Sequence, residues 1–82
     1  MSMYSAFKDL DVLLVEPSAV QARIIRDLLG TLDVRRIETV DAGAAALQRM
    51  RREPPAVTIS ALYLPDMTGI DLVSAMRAEE AL

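Results

Sequence analysis

The stretch TISALYLPDMTG, residues 58–69, gathers hydroxyls on Thr58, Ser60 and Tyr63 and a carboxylate on Asp66. The other acid of interest is Glu16, at the end of an apolar run near the start of the chain. Two converging carboxylates could hold a divalent cation, and a hydroxyl beside a base could act as a nucleophile. Neither chemistry is well provided for. Mg²⁺ wants near-octahedral oxygen ligation, and one or two isolated carboxylates supply little of it. Glu16 and Asp66 are therefore read as solvated turn or cap residues, and no metal site is expected. A Ser or Thr in a strand is read as packed or bonded to backbone rather than as a phosphoacceptor. The chain has no histidine and no cysteine, which removes the commonest general base and every thiolate. An enzyme using Glu16 as base would lack a partner acid, so no enzyme is expected. Arg49, Arg51 and Arg52 form the one basic cluster, read as the solvated end of a helix, where cations suit the negative end of the dipole.

The elements that would position these groups follow from pattern. The chain has 82 residues, 52% of them hydrophobic, enough for one small globular domain over 1–82. Residues 1–8 read as a loose N-terminal tail. DVLLVE (11–16) is a continuous apolar run and suits a strand buried on both faces. A helix follows from Ser18, with Ser18 and Gln21 at capping-box spacing. Val20, Ile24 and Leu28, joined by Ile25, Leu29 and Leu32, form its apolar side. Gly30 stands where a left-handed residue would stop it. VRRIETV (34–40) reads as an edge strand whose Arg35, Arg36 and Glu38 reach water. Asp41 is placed to cap a second helix with Ala45, Ala46, Leu47 and Met50 on its buried side, ended by Pro54 and Pro55. AVTISA (56–61) is a third strand, Pro65 and Gly69 mark a loop, and IDLVSAMRAEEAL is helical, with Ile70, Val73 and Met76 as its apolar positions. Alternating strands and helices predict an α/β fold with a parallel sheet and right-handed crossovers.

In that order the residues resemble the response-regulator receiver domain, the flavodoxin-like (CheY-like) module of two-component signalling, from about residue 11 to 78. VLLVEPS is similar to the first strand and acidic turn of that family. DAGAAAL is similar to its EDGxEAL helix opening, and LPDMTGIDLVSAMR to its MPxMDGxELLxxIR signature. The resemblance implies three βα units with strand order 2-1-3, and the family's two C-terminal βα units are absent. It also implies where a phosphorylation site would stand. Two acids after the first strand fall on Glu16 and Pro17, and the phosphoacceptor at the end of the third strand falls on Ala61. Proline offers no ligand oxygen and alanine no nucleophile. Tyr63, Pro65 and Gly69 belong to the site loop, and Tyr63 is expected either to fill the space left by the acids or to lie on the surface as a contact residue.

The expected function is a pseudo-receiver, a protein-interaction module in a phosphorelay that is not itself phosphorylated and needs no Mg²⁺ cofactor. Its partners would be a histidine kinase, a phosphotransfer protein or an output domain. By resemblance, Gln21, Arg23 and Arg26 on the first helix are candidate contacts. The alternative is a flavodoxin-like small-ligand or nucleotide-binding domain, although neither G-x-G-x-x-G nor a P-loop is present. Net charge of −3 weighs against nucleic acid. The lack of a long apolar segment weighs against a membrane span or signal peptide, and the lack of cysteine fits the cytoplasm. With order 2-1-3 the third strand is an edge, so a homodimer through that strand and the last helix is expected.

Overall fold

The computed structural model describes residues 7–79. Three strands and three helices alternate: β1 (Asp11–Val15), α1 (Ala19–Thr31), β2 (Arg36–Val40), α2 (Gly43–Arg52), β3 (Val57–Ser60) and α3 (Gly69–Ala78). The strands form one parallel sheet in the order β2-β1-β3. Most of the predicted tail, residues 1–6, lies outside the described residues. Phe7 and Lys8 depart from the expectation, because the Leu10 N–H donates to the Phe7 carbonyl at 3.2 Å and closes a turn.

The register explains the two faces. Leu13 and Val15 share one face with Glu38, Val40, Thr58 and Ser60; Val12 and Leu14 share the other with Ile37, Thr39, Val57 and Ile59. β1 is central, and its Leu13, Leu14 and Val15 are fully buried. Helices α2 and α3 close the first face with Ala46, Leu47, Met50 and Leu72. The second face has α1, of which only Ala22 is buried.

Several sequence readings need correction here. Val20, Ile24, Leu28 and Leu32 are exposed rather than packed on the sheet, and so are Ile70 and Val73 of α3. Each helix meets the sheet through a different strip, Ala22 in α1 and Gly69 and Leu72 in α3. Val57 is 39% exposed, since β3 has a neighbour on one side only. Gly30 does not end α1. The left-handed residue is Asp33, with φ 64°. The Val34 N–H donates to the Leu29 carbonyl and the Asp33 N–H to the Gly30 carbonyl, the paired bonds of a Schellman stop with aspartate in glycine's usual place. Arg49 is not solvated. It is 6% exposed, and its guanidinium donates to Glu38 of β2 at 2.8 Å, to Asp11 of β1 at 3.4 Å and to the Glu53 carbonyl. Arg51 and Arg52 are exposed as read, though Arg51 ties α2 to Glu79 beyond α3.

Candidate functional site

Parallel strands end together at the carboxyl edge of the sheet, which is where α/β folds build sites. Val15 stands in register with Val40 and with Ser60, so the next residues, Glu16, Asp41 and Ala61, line that edge. The Glu16 N–H donates to the Val40 carbonyl at 2.9 Å and the Ala61 N–H to the Val15 carbonyl at 2.8 Å. The register thus sets Glu16, followed by Pro17, and Ala61 at the ends of neighbouring strands. Their chemistry is another matter. Glu16 accepts from the Ser18 N–H at 3.0 Å, and Ser18 in turn accepts from the Gln21 N–H. Glu16 and Ser18 together therefore cap α1, and the Ser18–Gln21 box is only half made. Pro17 is exposed and Ala61 half-buried. The Ser60 hydroxyl donates to the Ala61 carbonyl at 2.8 Å, a backbone-bonded serine.

The loop from Leu62 to Thr68 is held from within and from α2. Tyr63 and Thr68 form an isolated antiparallel bridge, and the Gly69 N–H donates to the Leu62 carbonyl at 2.7 Å. Gly69 has to be glycine, since a Cβ there would lie 2.6 Å from the Ala61 carbonyl oxygen. This is the close backbone approach that only a hydrogen permits. Pro65 is exposed in the turn. Tyr63 is 75% exposed, so it lies on the surface rather than in space left by missing acids.

Asp66 has a task that no local pattern announces. One carboxylate oxygen accepts from the Gly43 N–H and the other from the Ala44 N–H, both at 2.8 Å. Asp66 therefore caps α2 from the loop that follows β3. Asp41, expected in that role, does not fill it: the N-cap residue is Ala42, and no side chain of its own bonds the helix end. The bonds from Ala44 and Gly43 favour the ionised carboxylate and hold the Asp66 pKa below its ordinary value. The Met67 side chain rests on Gly43. α3 is capped by a complete box, with the Asp71 N–H donating to Thr68 at 3.0 Å and the Thr68 N–H to Asp71 at 3.1 Å. The T-x-x-D spacing of Thr68 and Asp71 is the local sequence signal of this box.

Glu16 and Asp66 are thus engaged by backbone N–H groups, and Asp41 stands exposed at the same edge as Glu16. Among the described residues no three His, Cys, Asp or Glu side chains converge on a point suited to a metal ion. Of the candidate contact residues on α1, Gln21, Arg23 and Arg26 are all exposed, and Arg26 donates to Thr39 of β2 at 3.2 Å. A cleft of about 500 Å³ runs along the open side of β3 between Ser60, Ala61, Leu62, Ile70, Val73 and Arg77. A second, of about 460 Å³, lies between Glu16, Pro17, Ala22, Thr39 and Asp41.

Comparison with known proteins agrees with this architecture. The sequence profile of the response regulator receiver domain matches residues 12–82. The chemotaxis protein CheY-3 of Vibrio cholerae is 29% identical over 75 residues, covering 92% of this chain and 58% of that protein. The transcriptional regulatory protein KdpE of Mycobacterium tuberculosis is 41% identical over 59 residues, covering 70% of this chain and 26% of that protein. The chain therefore spans little more than half the length of the chemotaxis relative.

Proposed function

Because the chain belongs to the response regulator receiver domain family, we propose that it is a receiver of two-component signalling in which aspartyl phosphorylation has been lost and protein interaction retained. The observation that carries this reading is Ala61. It stands at the end of β3, one hydrogen bond from β1 and next to Glu16, where the family places its acceptor, and a methyl group cannot take a phosphoryl group. Pro17 withholds a second carboxylate beside it. With Glu16 and Asp66 engaged as helix caps, the protein works without Mg²⁺ and without catalysis.

Its partners on this reading are a histidine kinase, a phosphotransfer protein or an output domain, met through Gln21 and Arg23 of α1 with Arg26 beside them. The open strand β3 and the neighbouring α3 pair with a second copy, since unpaired strand edges next to apolar side chains invite addition of another strand. Among the described residues no helix is long and apolar enough to cross a membrane. A cytoplasmic module with no nucleic-acid role accords with that and with the net acidic charge.

Intact-mass measurement after treatment with acetyl phosphate and Mg²⁺ tests the reading. The mass is expected to stay unchanged, and a stable phosphoryl adduct would overturn it. Ala61→Asp alone is expected to phosphorylate poorly, because Pro17 still supplies no ligand.

A further inference from the structure

Helix α2 begins without a cap of its own. Its N-cap residue is Ala42, whose methyl group accepts no hydrogen bond, and the first N–H groups of a helix have no partner within it. The loop after β3 supplies what is missing. The Leu64 N–H donates to the Met67 carbonyl at 2.9 Å, a turn that sets Asp66 and Met67 together against α2. Asp66 takes the Gly43 and Ala44 N–H groups. Met67 lays its thioether over Gly43, where a Cβ would collide with its Cγ, Sδ and Cε. The same side chain packs at the margin of the buried cluster of Leu13, Leu47 and Leu72.

A thioether in that seat is also a two-electron reductant. Its sulfur lone pair attacks one oxygen of a hydroperoxide. The S–O bond forms as the O–O bond breaks, and the rest of the peroxide leaves, with a proton, as water or an alcohol. The product sulfoxide is polar and accepts hydrogen bonds. The chain has five methionines, of which Met1 and Met3 lie outside the described residues. Met50 is 1% exposed, while Met67 and Met76 are half-buried. Of these three, Met67 is the one that rests on the start of a helix. We propose that Met67 is an oxidation site for hydroperoxides and that its sulfoxide unfastens the Asp66 cap of α2. The new oxygen is an acceptor beside N–H donors that Asp66 already uses, at the end of the helix where negative charge is favoured. It either takes one of those donors or draws the side chain out to water, because an unpaired polar atom is costly against the core. In both cases the adjoining Asp66 loses its hold on Gly43 and Ala44, and the loop that carries Tyr63 comes free of α2. Sulfoxide reductases reverse the step. Leucine, close to methionine in volume and without sulfur, keeps the packing and takes no oxygen. Neither Ala61 nor Pro17 takes part in this contact.

Hydrogen peroxide added in increasing amounts to the full chain at neutral pH tests this. Peptide mass mapping places the added oxygen, and amide hydrogen exchange reads the cap. Met67 is expected to gain one oxygen before Met50 does, and the Gly43 and Ala44 amides to exchange about tenfold faster once it has. Met67→Leu is expected to keep slow exchange at those amides in peroxide, and Met76→Leu to respond as the original does. Full oxidation at Met67 with exchange unchanged, oxidation of Met50 in step with Met67, the same quickening in Met67→Leu, or loss of the response in Met76→Leu would each overturn the proposal.

Discussion

The two faces of the sheet are built to different degrees of closure. On the α2–α3 face, Leu13, Val15, Ala46, Met50 and Leu72 are all 1% exposed or less. Polar ties that span long stretches of sequence frame them: Asp66 to the start of α2, Arg49 to β1 and β2, Arg51 to Glu79. On the α1 face a single helix covers β1 and leaves its own Val20, Ile24 and Leu28 in solvent. The difference teaches that apolar periodicity reports a helix's capacity to bury surface, while the number of neighbours decides how much of it is buried. The closed face fixes the geometry of the carboxyl edge, and the open face leaves large apolar side chains in solvent.

Leu13→Ala should give the largest loss of stability, about 3 kcal/mol, because it opens a cavity that packed neighbours on the closed face cannot fill. Urea unfolding measures it, and a loss below about 1 kcal/mol would mean that this face is much looser than its burial implies. Gly69→Ala should follow at about 2 kcal/mol, since its Cβ would press on the Ala61 backbone, which has no room to give. Gly43→Ala is its control. There the obstacle is the flexible Met67 side chain, so the cost should be clearly smaller, and equal losses would show the loop to be less rigid than drawn.

Arg49→Met should cost about 1 kcal/mol. The methionine retains apolar packing but leaves Asp11 and Glu38 without their shared cation, and both keep access to water. No measurable change would show that the ion pairs add nothing beyond the packing. Asp66 supplies a pH signature. Its pKa is held below the ordinary value of 3.8 by two backbone bonds, so its stabilisation is complete above about pH 4 and fades as pH falls through the lowered pKa. Asp66→Asn should lower the melting temperature at neutral pH, quicken hydrogen exchange at the Gly43 and Ala44 amides, and flatten that acid limb. Unchanged exchange at those two amides would remove Asp66 as the cap. The smallest effect belongs to the open face: Leu28→Ala should shift unfolding of the dilute monomer by under about 0.5 kcal/mol. A loss approaching that of Leu13→Ala would abolish the contrast between the faces.

The sequence by itself determined the order of elements, because periods of two and of nearly four residues are local signals. Strand, helix and loop fall close to where DVLLVE, the Ser18 start, AVTISA and the Pro65–Gly69 loop put them, with β3 one residue shorter at each end. The strand ends that the sequence put at Glu16 and Ala61 do stand side by side in the register. What it could not settle were the contacts between distant segments. Asp66 and Gly43 are separated by 23 residues, and Arg49 and Asp11 by 38. No spacing rule links such pairs, so a loop acid became a helix cap and a basic cluster lost one member to the interior. The tertiary structure alone decided which side of each amphipathic helix met the sheet. Ala22 and Leu72, not the longer apolar rows beside them, face inward, because helix packing follows the shape of the surface beneath as well as hydrophobicity.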